Sequence, residues 1–339
     1  MSPKSLLPTH FADFQKAVTD LGLEKFRAKQ VWEWLFGKLV FDFKAMTNLS
    51  IETRNRLAEA FPVILPENIG IQTAEDGTRK ISLTLEDGAK IESVSLPDED
   101  SLTFCLSSQI GCRIGCPFCR TGGMGFIRNL TAEEIGLQMM SLVKICHSKP
   151  TNIVFMGMGE PFMNRKAVFG AIDVFTDPRY LGLATRRVTI STAGVPEGII
   201  ELANRPGEVN LAVSLHVASD DARSMLVPLN RKFPLDSLRD AIVTYIDRTN
   251  RRVSLEVTLL RQVNDQLSDA MNLVGFCEGL LCHVNIVRFN PFPSCNFRPS
   301  TEKAEKEFRK VLKKAGIPVT VRRSRGADIL AACGQLAGD

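Results

Sequence analysis

The sequence predicts an α/β protein: a partial (βα)6 barrel of the TIM type, preceded by a small helical domain and a β-hairpin extension. Three observations lead there. After Ser101, short strand-like runs alternate with segments of helical periodicity. The residues before Pro62 show helical periodicity alone, and the stretch between alternates apolar and polar side chains about an Asp-Gly pair. A chain of 339 residues is long enough for one such barrel and an accessory unit.

The helical domain, taken as residues 1–65, contains FADFQKAVTDLGL, FRAKQVWEWLFGKLV and IETRNRLAEAF, broken at Gly22 and at the Asn48-Leu49-Ser50 cap signal. Its middle helix carries Arg27, Lys29 and Lys38 beside Trp32 and Trp34, the only two tryptophans of the chain. Helical tryptophans are ordinarily core, and a basic helix face is either solvated or touches RNA. Residues 66–97 hold RKISLTLEDG and KIESVSLP around Asp87-Gly88, a hairpin signal, so a strand pair bridges the two domains. The barrel, 98–326, begins with the strand ending at Cys105 to Ser107 and continues through TNIVFMG, RRVTISTAG, NLAVSLH, RVSLEVTLL and HVNIVRFNP. Helical segments such as LTAEEIGLQMMSLVKI, GIIELANR, LDSLRDAIVTYIDRT and LSDAMNLVGFCEGLL separate them. About six such units are too few for a closed eight-stranded barrel. The helix EKAEKEFRKVLKKAG and the strand IPVTVRR follow, and residues 327–339 form a C-terminal segment with Cys333.

With 44% hydrophobic and 24% charged residues, the composition is globular and excludes collagen-like, disordered and coiled-coil chains. No apolar run is long enough to span a membrane, and MSPKSLLPTHF lacks the apolar stretch of a signal peptide, so a soluble, cytoplasmic protein is expected. The formal charge is only +4. From Thr301 to Asp339 there are nine Lys or Arg against five Asp or Glu, so the excess is local, and Arg322, Arg323 and Arg325 are placed to meet phosphate.

Nine cysteines in a chain with no secretory signal point to reduced thiols serving a metal or chemistry. Cys112, Cys116 and Cys119 form C-x3-C-x2-C in a glycine-rich loop directly after a predicted strand. Three thiolates so spaced suit three irons of a [4Fe–4S] cluster and leave the fourth iron without a protein ligand. A closed zinc site would need a fourth ligand, and none lies nearby. The other predicted strand ends, GMGEP, STAG, SLH and NPFP, are also loaded with polar or turn-forming residues, and ligands gather at that end of a barrel.

The cysteine triad with Phe118 before its third member resembles the radical S-adenosylmethionine superfamily, in which the open iron chelates S-adenosylmethionine. More narrowly, FCLSSQIGCRIGCPFCRTGGMGFIRNLTAEEI, FMGMGEP, RRVTISTAGV, AVSLH, VNDQ, RFNPFP and RGADILAACGQLAGD resemble the RlmN/Cfr family of radical methyltransferases acting on an adenine of ribosomal RNA. FRAKQVWEWLF extends the similarity to the family's N-terminal helical domain. The resemblance implies one [4Fe–4S] cluster per chain and two S-adenosylmethionine molecules per turnover. Gly159, Glu160, Ser191, Ser214, Leu215, His216 and Asn290 match positions that hold S-adenosylmethionine.

It further implies that Cys333 accepts a methyl group and passes it to the base as a methylene radical. Cys105 then releases the tethered RNA through a transient disulfide with Cys333, and Glu92 is the proton acceptor. A radical route suits the C2 and C8 carbons of adenine, which are electrophilic and mismatched to a methyl cation. The expected substrate is C2 of an adenine in the peptidyl-transferase centre of 23S rRNA, together with an adenine in some tRNA anticodon loops. Cfr-like C8 methylation and a radical enzyme acting on a small molecule are the alternatives, and a nonenzymatic zinc- or iron-binding RNA protein is a third. A flavodoxin- or ferredoxin-type electron donor and a monomer are expected. Cys146, Cys277, Cys282 and Cys295 match no assigned role and are read as packing residues.

Overall fold

A computed structural model describes residues 11–61, 65, 69–293 and 295–338. The first ten residues, Asp339 and most of the expected junction between helical domain and hairpin lie outside the described residues. The helical domain consists of α1 (Phe11–Asp20), α2 (Lys25–Trp32) and α3 (Ile51–Ala60). Ser50 starts α3 by accepting the Thr53 N–H with its side chain, as its cap signal predicts. The middle helix is shorter than its periodicity suggests, because a π-helical turn, Glu33–Gly37, takes over after Trp32. The wider turn lets Leu35 and Phe36 both reach the core. Trp32 is buried against Phe11, Phe14, Phe36 and Tyr180, and its Nε1 donates to the Arg179 carbonyl at 2.5 Å, which ties this domain to the barrel.

The extension contains three strands: β1 (Ile69–Thr73), β2 (Arg79–Thr84) and β3 (Lys90–Asp98). Beyond it run β4 (Ser101–Cys105), β5 (Gln109–Gly111), α4 (Arg120–Gly123), β6 (Phe126–Asn129), α5 (Ala132–Cys146), β7 (Asn152–Phe155), α6 (Arg165–Thr176) and β8 (Val188–Thr192). The chain continues through α7 (Pro196–Ala203), β9 (Asn210–Ser214), α8 (Asp220–Leu226), α9 (Leu235–Thr249), β10 (Val253–Leu259), α10 (Leu267–Cys277), β11 (Cys282–Arg288), α11 (Glu302–Lys314) and β12 (Val319–Arg322).

One ten-stranded sheet runs β1-β2-β3-β4-β7-β8-β9-β10-β11-β12. It is antiparallel up to the β3–β4 pair and parallel from β4 to β12. The six βα units are present, and IPVTVRR supplies a further parallel strand beside β11. The extension is not a separate hairpin: Val94 on β3 stands opposite Cys105 on β4, so it continues the barrel sheet. Its two faces are both covered. Ile81, Leu83 and Ile91 join the main core, whereas Val94 packs with Cys105, Met158, Ala331 and Leu336 in a second, smaller cluster. The C-terminal segment therefore lies on this sheet and closes one side of the barrel mouth.

Candidate active site

The cysteine loop is held between β5 and β6, a small antiparallel pair after β4, with the Cys112 N–H donating to the Gly125 carbonyl at 2.9 Å. This approach requires Gly111, whose φ is +70° and where an added Cβ would stand 1.9 Å from the Gly125 oxygen. Cys112, Cys116 and Cys119 line one cleft of about 990 Å³, open solvent at its mouth included. Burial pushes the Cys112 thiol up to about 12 and raises Cys116 and Cys119 as well, with a neighbouring thiolate adding to each: Cys119 beside Cys112 and Cys116, and Cys333 beside Cys119. Half-buried thiolates that raise one another's pKa need a cation's charge. Among the described residues, no three His, Cys, Asp or Glu side chains converge on a single-ion site. Three thiols lining one cleft suit three irons of a cubane whose fourth iron takes another ligand.

Across the cleft lie the other strand-end loops. Gly157, Gly159, Glu160, Ser191, Ser214, His216 and Asn290 line it together with Thr192, Glu256, Thr258 and Arg322. Gly157 has no room for a side chain, because a Cβ would meet the Ser107 hydroxyl at 2.7 Å and the Leu106 carbonyl at 2.8 Å. Glu160 is buried, and three donors satisfy it: the Phe162 and Ala193 N–H groups at 3.0 and 2.6 Å and the Thr192 hydroxyl at 2.7 Å. Burial still raises its pKa. The carboxylate thus clamps GMGEP to STAG while facing the cleft. Ser191 and Ser214 hydroxyls approach to 3.4 Å. His216, at φ 62°, accepts the Thr258 N–H on Nδ1, and burial drives its pKa down to about 3, so the ring is neutral and Nε2 carries the proton. Leu215 is the exception among the matched positions: its side chain lies in the core and does not line the cleft, because alternation along the strand end turns it the other way.

A second, smaller cavity of about 590 Å³ contains Cys105 and Cys333 with Val94, Arg322, Arg323 and Arg325. Met156, Val287, Asn290, Arg322 and Cys333 belong to both cavities. Cys333 therefore faces the Cys112, Cys116 and Cys119 side of one cleft and Cys105 in the other cavity. Cys105 is buried and Cys333 exposed. Burial, followed by the neighbouring Cys333, pushes the Cys105 thiol up to about 12, and Arg322 pulls the other way. Asn290 donates to the Cys333 carbonyl at 3.3 Å and steadies that loop.

Glu92 is placed differently. It is only 2% exposed, lines neither cavity, and has both oxygens engaged: Oε1 with Lys80 Nζ at 3.0 Å and Oε2 with the Ala337 N–H at 2.9 Å. Its hairpin face is not solvated, because the C-terminal segment covers it. Of the unassigned cysteines, Cys277 and Cys282 are core residues, and Cys146 and Cys295 pack against that core.

Sequence reasoning passed over Arg223. On the short helix α8, it is fully buried and donates to the Leu215, Ala193 and Ser214 carbonyls at 3.2, 2.5 and 3.4 Å and to Asn230 Oδ1 at 2.8 Å. Burial lowers its pKa to about 10, which leaves it charged at neutral pH. It ties the STAG and SLH loops together behind Cys116, whose thiolate it would stabilise. No motif flags it; an arginine two residues after an Asp-Asp pair looks like an exposed helix residue.

A barrel mouth with this donor set defines the radical S-adenosylmethionine class of enzymes, and the sequence profile of the Radical SAM superfamily matches residues 106–274. The profile described as the ribosomal RNA large subunit methyltransferase N-terminal domain matches residues 5–63. The chain is 41% identical over 327 residues to the probable dual-specificity RNA methyltransferase RlmN of Christiangramia forsetii, covering 95% of this chain and 93% of that one. With the dual-specificity RNA methyltransferase RlmN of Magnetococcus marinus the identity is 42% over 325 residues, 95% and 91% of the two chains. The crystal structure of a radical SAM methyltransferase from Sphaerobacter thermophilus matches with a TM-score of 0.94 at 39% identity, covering 99% of this chain and 100% of that one. The chain belongs to the RlmN family of radical S-adenosylmethionine RNA methyltransferases, and the Cfr alternative is not favoured. The family employs a [4Fe–4S] cluster and S-adenosylmethionine.

Proposed function

We propose that this enzyme methylates C2 of an adenine in the peptidyl-transferase centre of 23S rRNA, and an adenine in certain tRNA anticodon loops, using Cys333 as the methyl carrier. The observation that carries the reading is the position of Cys333 between a cleft lined by three thiols and a cavity that holds Cys105. In this reading Cys112, Cys116 and Cys119 hold the cluster, and Gly159, Glu160, Ser191, Ser214, His216 and Asn290 surround S-adenosylmethionine, with Leu215 contributing through its backbone. The cluster and S-adenosylmethionine together supply, when bound, a methyl donor and a hydrogen-abstracting radical.

The chain's own residues do the rest. Cys333 is exposed and takes the methyl group on its sulfur. Once the sulfur is tethered through carbon to the base, and the adduct has given up one electron and the hydrogen of the substituted ring carbon as a proton, Cys105 attacks the sulfur. The sulfur–carbon bond breaks, its electron pair stays on the carbon, and a proton completes the methyl group while a Cys105–Cys333 disulfide remains for cellular thiols to reduce. Burial keeps Cys105 protonated until then, and Arg322 assists loss of its proton. The target base must leave its stack to reach this depth, which a loop nucleotide does at small cost. Arg323 and Arg325 at the cavity rim, and exposed Lys25, Phe26 and Lys29 on α2, supply phosphate and stacking contacts. An RNA substrate and reduced thiols suit the cytoplasm; the electron donor is taken to be a flavodoxin or ferredoxin, and the enzyme a monomer. Among the described residues no helix is long and apolar enough to cross a membrane.

The test is Cys105→Ala, purified anaerobically with its cluster and incubated with rRNA fragments and S-adenosylmethionine. A covalent protein–RNA adduct at Cys333 is expected. Its absence in cluster-loaded protein whose Cys333 is methylated would remove the role given to Cys105.

A further inference from the structure

The proton-acceptor role that resemblance implies for Glu92 does not match its surroundings. Its carboxylate forms a buried ion pair with Lys80 on the neighbouring strand, the two side chains being 2% and 8% exposed. Ser82 opposes Glu92 and Val94 opposes Lys80 across β2 and β3, so both charged residues emerge on the face that carries the C-terminal segment. There the pair grips that segment twice. Lys80 Nζ donates to the Leu330 carbonyl at 3.5 Å, and Glu92 Oε2 accepts the Ala337 N–H at 2.9 Å. Cys333 lies between these two points.

We infer that Glu92 is a positioning residue: with Lys80 it clasps both ends of the Leu330–Ala337 loop and so aims Cys333 between the two cavities. The inference rests on the reading of Cys333 as methyl carrier. Other contacts fit the same purpose. The Thr121 hydroxyl donates to the Leu336 carbonyl at 2.6 Å and the Arg120 N–H to the Gly334 carbonyl at 2.8 Å, which joins the loop to the helix that follows Cys119. Leu330, at φ 53°, bends the chain sharply where Lys80 holds it. A base that removes a proton from the substrate needs a free lone pair within hydrogen-bond reach of it. Each Glu92 oxygen holds one donor and keeps a second lone pair, but at 2% exposed and bordering neither cavity the carboxylate presents that pair to no substrate in either.

The two roles predict different products. Loss of a proton acceptor leaves methylation of Cys333 intact, because that step needs no base at the nucleobase, and stalls the later step with RNA attached. Loss of a clasp impairs methylation of Cys333 itself. Two variants are compared with wild type as cluster-loaded full chains: Glu92→Gln, which keeps an acceptor for the Ala337 N–H, and Lys80→Met combined with Glu92→Leu, which removes the pair without stranding a buried charge. Intact-protein mass spectrometry reads Cys333 S-methylation and any RNA adduct. Glu92→Gln is expected to turn over within about tenfold of wild type and without adduct, whereas losing general-base catalysis costs about 100- to 10,000-fold. The double variant is expected to fold, keep its cluster and methylate Cys333 at least tenfold more slowly. Adduct accumulating in Glu92→Gln, or wild-type S-methylation in the double variant, overturns the inference. Wild-type protein that never methylates Cys333 would instead remove the carrier reading.

Discussion

Arg223→Met removes the guanidinium that links the STAG and SLH loops. Three acceptors lose their side-chain donor, the Ala193 and Ser214 carbonyls and Asn230 Oδ1, whereas the Leu215 carbonyl keeps the Val217 N–H at 2.8 Å. A buried acceptor left without a partner costs about 1–3 kcal/mol, which puts the three together near 3–9 kcal/mol. Removing the buried charge returns several kcal/mol of desolvation, so the net loss is about 3–5 kcal/mol, as for other broken buried charge networks. Unfolding entropy of about 2.1 cal/mol/K per residue over 339 residues is about 0.7 kcal/mol/K. The expected drop in Tm is therefore about 4–7 °C, read by calorimetry on protein prepared without cluster. Because both tied loops border the cleft, S-adenosylmethionine binding by reconstituted protein should weaken as well, measured by anaerobic titration. Arg223→Lys keeps the charge with fewer directed donors and should fall between. A methionine variant that melts within about 1 °C of wild type and binds S-adenosylmethionine equally well would refute the argument that this arginine organises the loops.

Other expectations follow from the same geometry. Cys116→Ala should yield colourless protein with little bound iron after anaerobic reconstitution, and a variant that retains wild-type iron and colour would exclude this thiol as a cluster ligand. His216 has its pKa lowered from 6.5 to about 3, so the unfolded chain takes up a proton below pH 6.5 that the folded chain refuses, and stability falls as pH drops through that window. His216→Gln should flatten the decline by up to about 1.4 kcal/mol per pH unit, or about 2 kcal/mol between pH 6.5 and 5, in denaturant titrations. At Arg323, exposed on the rim of the Cys105 cavity, substitution by Gln should weaken RNA binding and reduce the slope of log K against log salt by about one; an unchanged slope would place the RNA elsewhere.

The chemistry-bearing loops were legible because each lies within a few residues of one strand end. Cys112, Cys116 and Cys119 are local by spacing, and GMGEP, STAG and SLH follow β-strands whose apolar runs are evident; all reach one cleft. The motif names Leu215 together with Ser214 and His216 because they are consecutive, whereas the pleat sends consecutive side chains to opposite faces. For Glu92 the family resemblance implies a proton acceptor, and nothing local announces that a segment more than two hundred residues later lies on its strand face. Arg223 and Gln138 belong to the same class. Gln138, buried on α5, exchanges hydrogen bonds with Ser107 and accepts the Ser93 hydroxyl, which locks the loop after β4 to β3, and its helix position shows none of this.

The sequence by itself determined the βα alternation, the helical preface, the three-thiol loop and the family resemblance, since periodicity and short-range spacing are properties of neighbouring residues. Tertiary structure alone decided that β1 to β3 extend the barrel sheet, that β12 joins its parallel part, and that Cys333 borders both cavities. It also decided that Glu92 grips the Cys333 loop through a buried pair with Lys80. The physical reason is burial: a charged side chain on a strand is free in water or forced to find partners in the interior according to what the distant chain lays over it.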